Sequence, residues 1–274
     1  MSKTIKPLSN EQLNSIAPTL FTQEPHSEVS EKYHFIPTID VIEEIRFHNW
    51  YPVNVSVANV RDLEKEGFQQ HCVRFRHFED LLNPKDNAVE LLLFNSHDRS
   101  KAFSISAGIF RFVCANGLVI SDSVFETYKI KHLGERDNDV ANAVANITAI
   151  KPKLMEKIEK LESITLNQSE KESFAKYSIP LRFEEHLEIN HNDLLIPHRV
   201  EDSKDDLYTV LNVIQENLLR GNISGINKDT KRRFTSREIT SISKDTEVNK
   251  GIWDIAEKIA SIKDSSYCSM AIAA

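Results

Sequence analysis

Apolar residues recur along this chain with two different periods, and the change from one to the other organises it. Ile39, Ile42 and Ile45 follow Pro37 at helical spacing, with Thr38 placed to cap the helix and Asp40 in its first turn. That helix is expected to end near His48-Asn49, ahead of Pro52. The period then becomes two. Val53, Val55 and Val57 alternate with Asn54, Ser56 and Ala58; from His71 to Phe78, Val73 and Phe75 share a face with His71 and His77, while Arg74 and Arg76 take the other. Asn83 to Asn87 reads as a turn into Val89–Phe94, which is apolar on both faces and so predicts a central strand. Lys101–Ser106 alternates again, with Phe103 and Ile105 inward. Ile109–Ala115 fits a strand entering a hairpin at Asn116-Gly117, or a helix from Ala107 to Ala115 that Gly117 ends; the hairpin is the favoured reading.

Beyond Asp137 the spacing is helical. Val140, Val144, Ile147, Leu154, Ile158 and Leu161 lie on one face, and Pro152 is expected to kink or divide that helix. Ser169-Glu170-Lys171-Glu172 reads as a capping box opening a short helix that stops by Pro180. Leu181–Val200 has no regular pattern. Ser203 is placed to cap a helix with Leu207, Val210, Leu211, Ile214 and Leu218 on one face and Gly221 as its stop. A last helix should start at Asp245 and run through Val248, Ile252, Ile255 and Ile259, with Trp253 and Ala256 widening its apolar face. The expected fold is α+β: an antiparallel meander sheet in the first half, with helices packed on it and forming the second half. The expected divisions are a loosely structured arm over 1–35 (one helical turn starting at Ser9), a core over 36–200, and a helical annex with a basic loop over 201–274.

Composition adds bounds. A chain of 274 residues, 40% hydrophobic and 27% charged, is ordinary for a globular protein. No apolar run approaches the ~18 residues of a membrane span, and Met1–Lys6 does not open a signal peptide. Cys72, Cys114 and Cys268 have no metal-type spacing and read as reduced thiols of a cytoplasmic protein. The net charge of −7 conceals a segregation: Arg220 to Arg237 carries +5 and the remainder −12.

The runs His71–Phe78, Asn95-Ser96-His97-Asp98 and Gly108–Leu118, with Thr235–Ile239 ahead of Asn249–Trp253, make the chain similar to the YfjQ/YafZ/YubP group of prophage- and plasmid-encoded proteins, whose function is uncharacterised. The resemblance covers nearly the whole chain. It implies carriage on mobile elements and a cytoplasmic location, and it supplies no catalytic residue. The order of helix, meander and long helix also resembles the core of single-strand annealing proteins of the Rad and phage recombinase type, a likeness of fold alone.

Two features suggest a contact with a partner. Lys228, Lys231, Arg232, Arg233 and Arg237, with Phe234 among them, form a basic segment that would hold phosphates while Phe234 stacks on a base. Arg74 and Arg76, two apart on a strand, would form a short cationic ladder facing solvent or a polymer backbone and extend that surface, although an ordinary exposed sheet face with cross-strand acid partners is the favoured reading of the pair. Asn95 to Arg99 ends a strand with His97 and Asp98 together, yet Asn, Ser and Asp there also satisfy a tight turn, and structure is the favoured reading. His186, His191 and His198, among Glu184, Glu185, Glu188 and Asp193, have no zinc spacing. No phosphate loop, nucleophile elbow or dinucleotide fingerprint occurs, so no cofactor or metal is expected and an enzyme is disfavoured.

The function expected is a nucleic-acid-binding accessory of a mobile element, acting in DNA annealing or protection with single-stranded DNA as the partner. The alternative is an acidic module that occupies a host or element-encoded protein, for instance a defence or DNA-binding protein.

Overall fold

The computed structural model describes residues 5–27, 35–60, 63–98, 102–111, 117–119, 128–129 and 136–272. It falls into two compact units, Met1–Pro152 and Lys153–Ala274. The boundary expected at 200 lies within the second.

In the first unit the chain opens with α1 (Asn10–Ile16), whose capping box pairs Ser9 with Gln12. Leu13, Ala17 and Leu20 are fully buried, so this segment is packed and is not the loose arm its polar residues suggested. α2 (Thr38–Phe47) buries Val41, Ile42 and Ile45 and packs against β1 (Trp50–Val57). β1 contains Pro52, which is tolerated because β1 is the edge of its sheet and the register shifts between Pro52 and Asn54. β2 (His71–His77), a short α3 (Phe78–Leu82), β3 (Asn87–Asn95) and β4 (Ser104–Arg111) continue an antiparallel meander. β5 (Gly117–Val119) and β6 (Tyr128–Lys129) both pair with β4, completing six strands.

The meander and its central β3 are as expected, and the described part of 109–115 is strand. Gly117, however, pairs with Phe110 inside β5 and does not sit in the turn; Cys114, Ala115 and Asn116 lie outside the described residues. Register aligns Val73, Leu93 and Ile105 across three strands, with Phe75, Leu91 and Ala107 beside them, so one face of the sheet is continuously apolar. Trp50 closes that core and donates its indole N–H to Thr148 Oγ1 (3.0 Å).

α4 (Arg136–Ser163) is one uninterrupted helix through Pro152 and across the division between the units. The proline removes one hydrogen bond, but the apolar positions on both sides of it are buried, which outweighs that loss.

In the second unit, α5 (Gln168–Ser178) starts two residues before the expected box: Asn167 is the cap and Glu170 its reciprocal partner. β7 (Leu187–Ile189) follows, then α6 (Leu207–Arg220), capped by Asp206 and not by Ser203. Asp206 Oδ1 accepts from the Thr209 amide (2.7 Å), whereas Ser203 Oγ donates to the Val200 carbonyl. Gly221 ends α6 at φ +77°, where a side chain would also strike the Arg237 backbone. β8 (Ser224–Asn227) and β9 (Arg233–Thr235) join β7 in a three-stranded antiparallel sheet that the sequence pattern did not predict. α7 (Ile242–Ile272) buries Val248, Ile252, Trp253 and Ala256 against α6. No described helix is long and apolar enough to cross a membrane.

Candidate functional site

The basic segment is a hairpin. Asn227 shapes its tip by accepting the amides of Asp229 (3.0 Å) and Thr230 (2.9 Å) on its side-chain oxygen, while its own amide donates to the Arg232 carbonyl (2.9 Å). Lys231 takes a left-handed conformation at φ +57° to complete the reversal. Lys228 ties the tip to the chain before β7: its amide donates to the His186 carbonyl and its Nζ to the Glu185 carbonyl. At the base, the Arg182 guanidinium donates to the Leu218 and Arg237 carbonyls, joining the end of α6 to the strand that leaves β9. The cations are therefore carried on ordered backbone, not on a flexible loop.

Lys231, Arg232, Arg233 and Arg237 are all exposed, and among the described residues none has an ion partner. Lys228 is exposed as well, but its ammonium is held at a neutral carbonyl. Arg220 is different: it pairs with Glu216 (2.7 Å), which Arg199 also grips through both carboxylate oxygens (2.7 and 2.8 Å). Those hydrogen bonds from Arg199 to buried Glu216 raise the guanidinium pKa further above its ordinary value.

Strand alternation separates the two chemistries expected to act together. Arg233 and Thr235 face one side of the sheet, and Phe234 faces the other. Phe234 lies opposite Gly225, where a Cβ would come within 2.7 Å of its ring, and its centroid is 6.4 Å from that of Phe183. It is half-buried and anchors the hairpin from behind. Arg233 and Phe234 nevertheless border one open groove of about 850 Å³, which Ile226, Glu188, His191 and Asp193 also line.

The cationic ladder expected on β2 is not at the surface. Arg76 is 1% exposed and donates to Glu90 Oε1 (2.7 Å), itself 1% exposed; Arg74 Nε donates to Glu90 Oε2 (2.6 Å). Both guanidiniums also lie over the Phe110 ring, at 4.6 and 5.2 Å. Alternation placed the two arginines on one face correctly. The cross-strand acid partner is Glu90, inside the run of β3 read as apolar, and it turns the ladder into a buried ion cluster.

The strand end at Asn95–Asp98 is also interior. Thr38 is not a cap; it is the hub of a buried polar cluster. Asn95 Nδ2 donates to Thr38 Oγ1 (3.1 Å), an orientation fixed because the Ser96 amide donates to Asn95 Oδ1 (2.8 Å). His71 Nδ1 donates to the Gln69 carbonyl (3.0 Å), so its Nε2 accepts the Thr38 hydroxyl proton (2.9 Å). With that proton used, His97 Nε2, 3.3 Å from the same oxygen, must be a donor. Burial, followed by the nearby His97, pushes the His71 pKa down to about 3; burial pushes His97 down to about 4. Both rings are neutral near pH 7, and the cluster is an interior network in which His97 Nδ1 is buried without a hydrogen-bond partner among the described residues. Arg99 lies outside the described residues.

The histidines of the acidic segment do not converge. His186 meets Glu184 (3.3 Å), His191 meets Glu172 (4.0 Å), and His198 shares a hydrogen bond with Asn217 (2.7 Å). No group of three metal-capable side chains occurs among the described residues.

A family model described as a domain of unknown function, DUF932, matches residues 25–253. Two curated relatives from Escherichia coli (strain K12), UPF0380 protein YfjQ and UPF0380 protein YafZ, are each 31% identical over 255 residues, covering 93% of this chain and 92% of theirs. No solved structure matches the chain.

Proposed function

The chain belongs to the DUF932 family, and from that premise we propose that it is a nucleic-acid-binding accessory protein of a mobile genetic element. Lys231, Arg232, Arg233 and Arg237 hold phosphate oxygens, and Lys228 adds to the field at the hairpin tip. The observation that carries this reading is a set of four exposed cations with no ion partner among the described residues, displayed on a hydrogen-bonded hairpin. Like charges concentrated on one short segment repel one another, so a polyanion that neutralises them gains that repulsion back as binding energy. Arg76 takes no part, because it is 1% exposed and its guanidinium is held by buried Glu90.

Fluorescence anisotropy with a labelled DNA of mixed sequence at 50 mM salt tests the reading. The native chain should bind, and the variant with all four residues changed to Ala should lose most of the affinity while unfolding at the same temperature. Absence of binding by the native chain, or equal binding by the variant, rejects it. In that event the remaining −12 of charge would favour the acidic interaction module, whose signature is co-purification of a basic partner.

A further inference from the structure

Resting on the phosphate-binding reading of the hairpin, we infer that the adjoining groove takes a nucleotide of a single strand, with Arg233 on its phosphate and Glu188 reading the Watson–Crick edge of an unpaired guanine. Register places the two residues. Glu188 pairs with Ile226 and Ile226 with Arg233, so the three side chains form one row across β7, β8 and β9 on the same face of the sheet. Two strand spacings separate the ends of that row by about 10 Å, the order of the span from a nucleotide's phosphate to the hydrogen-bonding edge of its base. Between them Ile226 is 41% exposed, an apolar floor on which a sugar or base can lie. Phe234 lines the same groove, and Ser224 and Thr235, paired beside the row, add exposed hydroxyls to it.

The charge along the row is polarised. At one end Arg233 continues the exposed cations of the hairpin. At the other, Glu188 is exposed and has no ion or hydrogen-bond partner among the described residues. Asp193, also in the lining, accepts from Asn190 Nδ2 on one oxygen (3.4 Å). Two carboxylates oppose a phosphate placed deep in the groove, but they suit a base edge rich in N–H groups.

A carboxylate only accepts, and its two oxygens match two adjacent donors. Guanine alone among the DNA bases presents such a pair, N1–H beside the N2 amino group. Adenine and cytosine set an acceptor next to their amino group, and thymine flanks N3–H with two carbonyls. In a duplex the guanine edge is engaged by cytosine, whereas an unpaired base can turn it outward. The groove therefore fits a single strand.

The experiment measures binding of the full chain, by anisotropy at 50 mM salt, to three labelled 20-nucleotide strands. One is all thymidine, one carries guanine at every fourth position, and one carries hypoxanthine, which lacks the N2 amino group, at those positions. Glu188→Ala is run alongside and checked for native unfolding temperature. The guanine strand should bind about fivefold tighter than the thymidine strand, the low end for a bidentate base contact because the groove is open to water. Hypoxanthine should lose most of that gain. Glu188→Ala should lose the guanine preference while binding the thymidine strand at least as well as the native chain. Equal binding of the three strands, or a guanine preference that survives in Glu188→Ala, overturns the inference and leaves phosphate binding standing. No binding of any strand overturns both.

Discussion

The two polar concentrations of this protein look alike as sequence and differ in what their groups meet. Around Thr38, four side chains from α2, β2 and the end of β3 donate and accept among themselves, leaving His71 and His97 neutral in the interior. Beside them in the first unit, Glu90 answers Arg74 and Arg76. On the β8–β9 hairpin and its flank, four cations are exposed without an ion-pair partner among the described residues. Polar groups that answer one another hold the fold, while groups left exposed with uncompensated charge are where a partner is proposed. A functional reading therefore belongs to the second set, although the first contains the histidines that usually attract attention.

The comparison is broken most severely at Glu90. Glu90→Gln leaves Arg76 buried beside a neutral group and should destabilise the chain by about 3–5 kcal/mol in urea unfolding. Thr38→Val removes the oxygen that His71, His97 and Asn95 share, and should cost about 1–3 kcal/mol for each group left unmatched. Neither variant should alter DNA affinity at a temperature where both remain folded; a selective loss of binding in Thr38→Val would give the cluster a role it is denied here.

Acid sharpens the same contrast. The unfolded rings titrate near 6.5 and the folded ones near 3 and 4, so the unfolded state binds more protons in between. Stability should be flat above about pH 7 and fall below 6.5, steepening toward about 1.4 kcal/mol per pH unit for each ring. A midpoint of urea unfolding that stays level from pH 7 to 5 would contradict neutral burial of the pair. The smallest expected effect on stability is at the hairpin: single Ala substitutions of Lys231, Arg232 or Arg237 should stay within about 0.5 kcal/mol of the native chain while each lowers the salt slope of single-strand binding by about 0.7.

Long periodic elements were legible in the sequence. The apolar face of α4, the meander and the central β3 all follow from spacing, since burial on one face leaves a period that single residues cannot disguise. Short elements and distant contacts were not. β7, β8 and β9 have three or four residues each, too few to establish a period, and Gly225 and Asn227 read as loop residues. Thr38 lies 33 residues from His71 and 59 from His97, so its apparent role as a cap was the only one local context supplied. The caps of α5 and α6 slipped because several eligible residues stand in a row, and only geometry selects Asn167 and Asp206. The basic segment was visible as charge, but that Phe234 points away from Arg233 required the strand.

Amide hydrogen exchange of the full chain, with and without a guanine-bearing 20-nucleotide single strand at 50 mM salt, tests the central contrast most directly. Slowed exchange confined to the hairpin, its flank and the groove, from Ser224 to Arg237 and from Glu188 to Asp193, with no change from Asn95 to Asp98, is the predicted result. Unaltered exchange at the hairpin under saturating DNA, or protection appearing around Asn95–Asp98 instead, would contradict it.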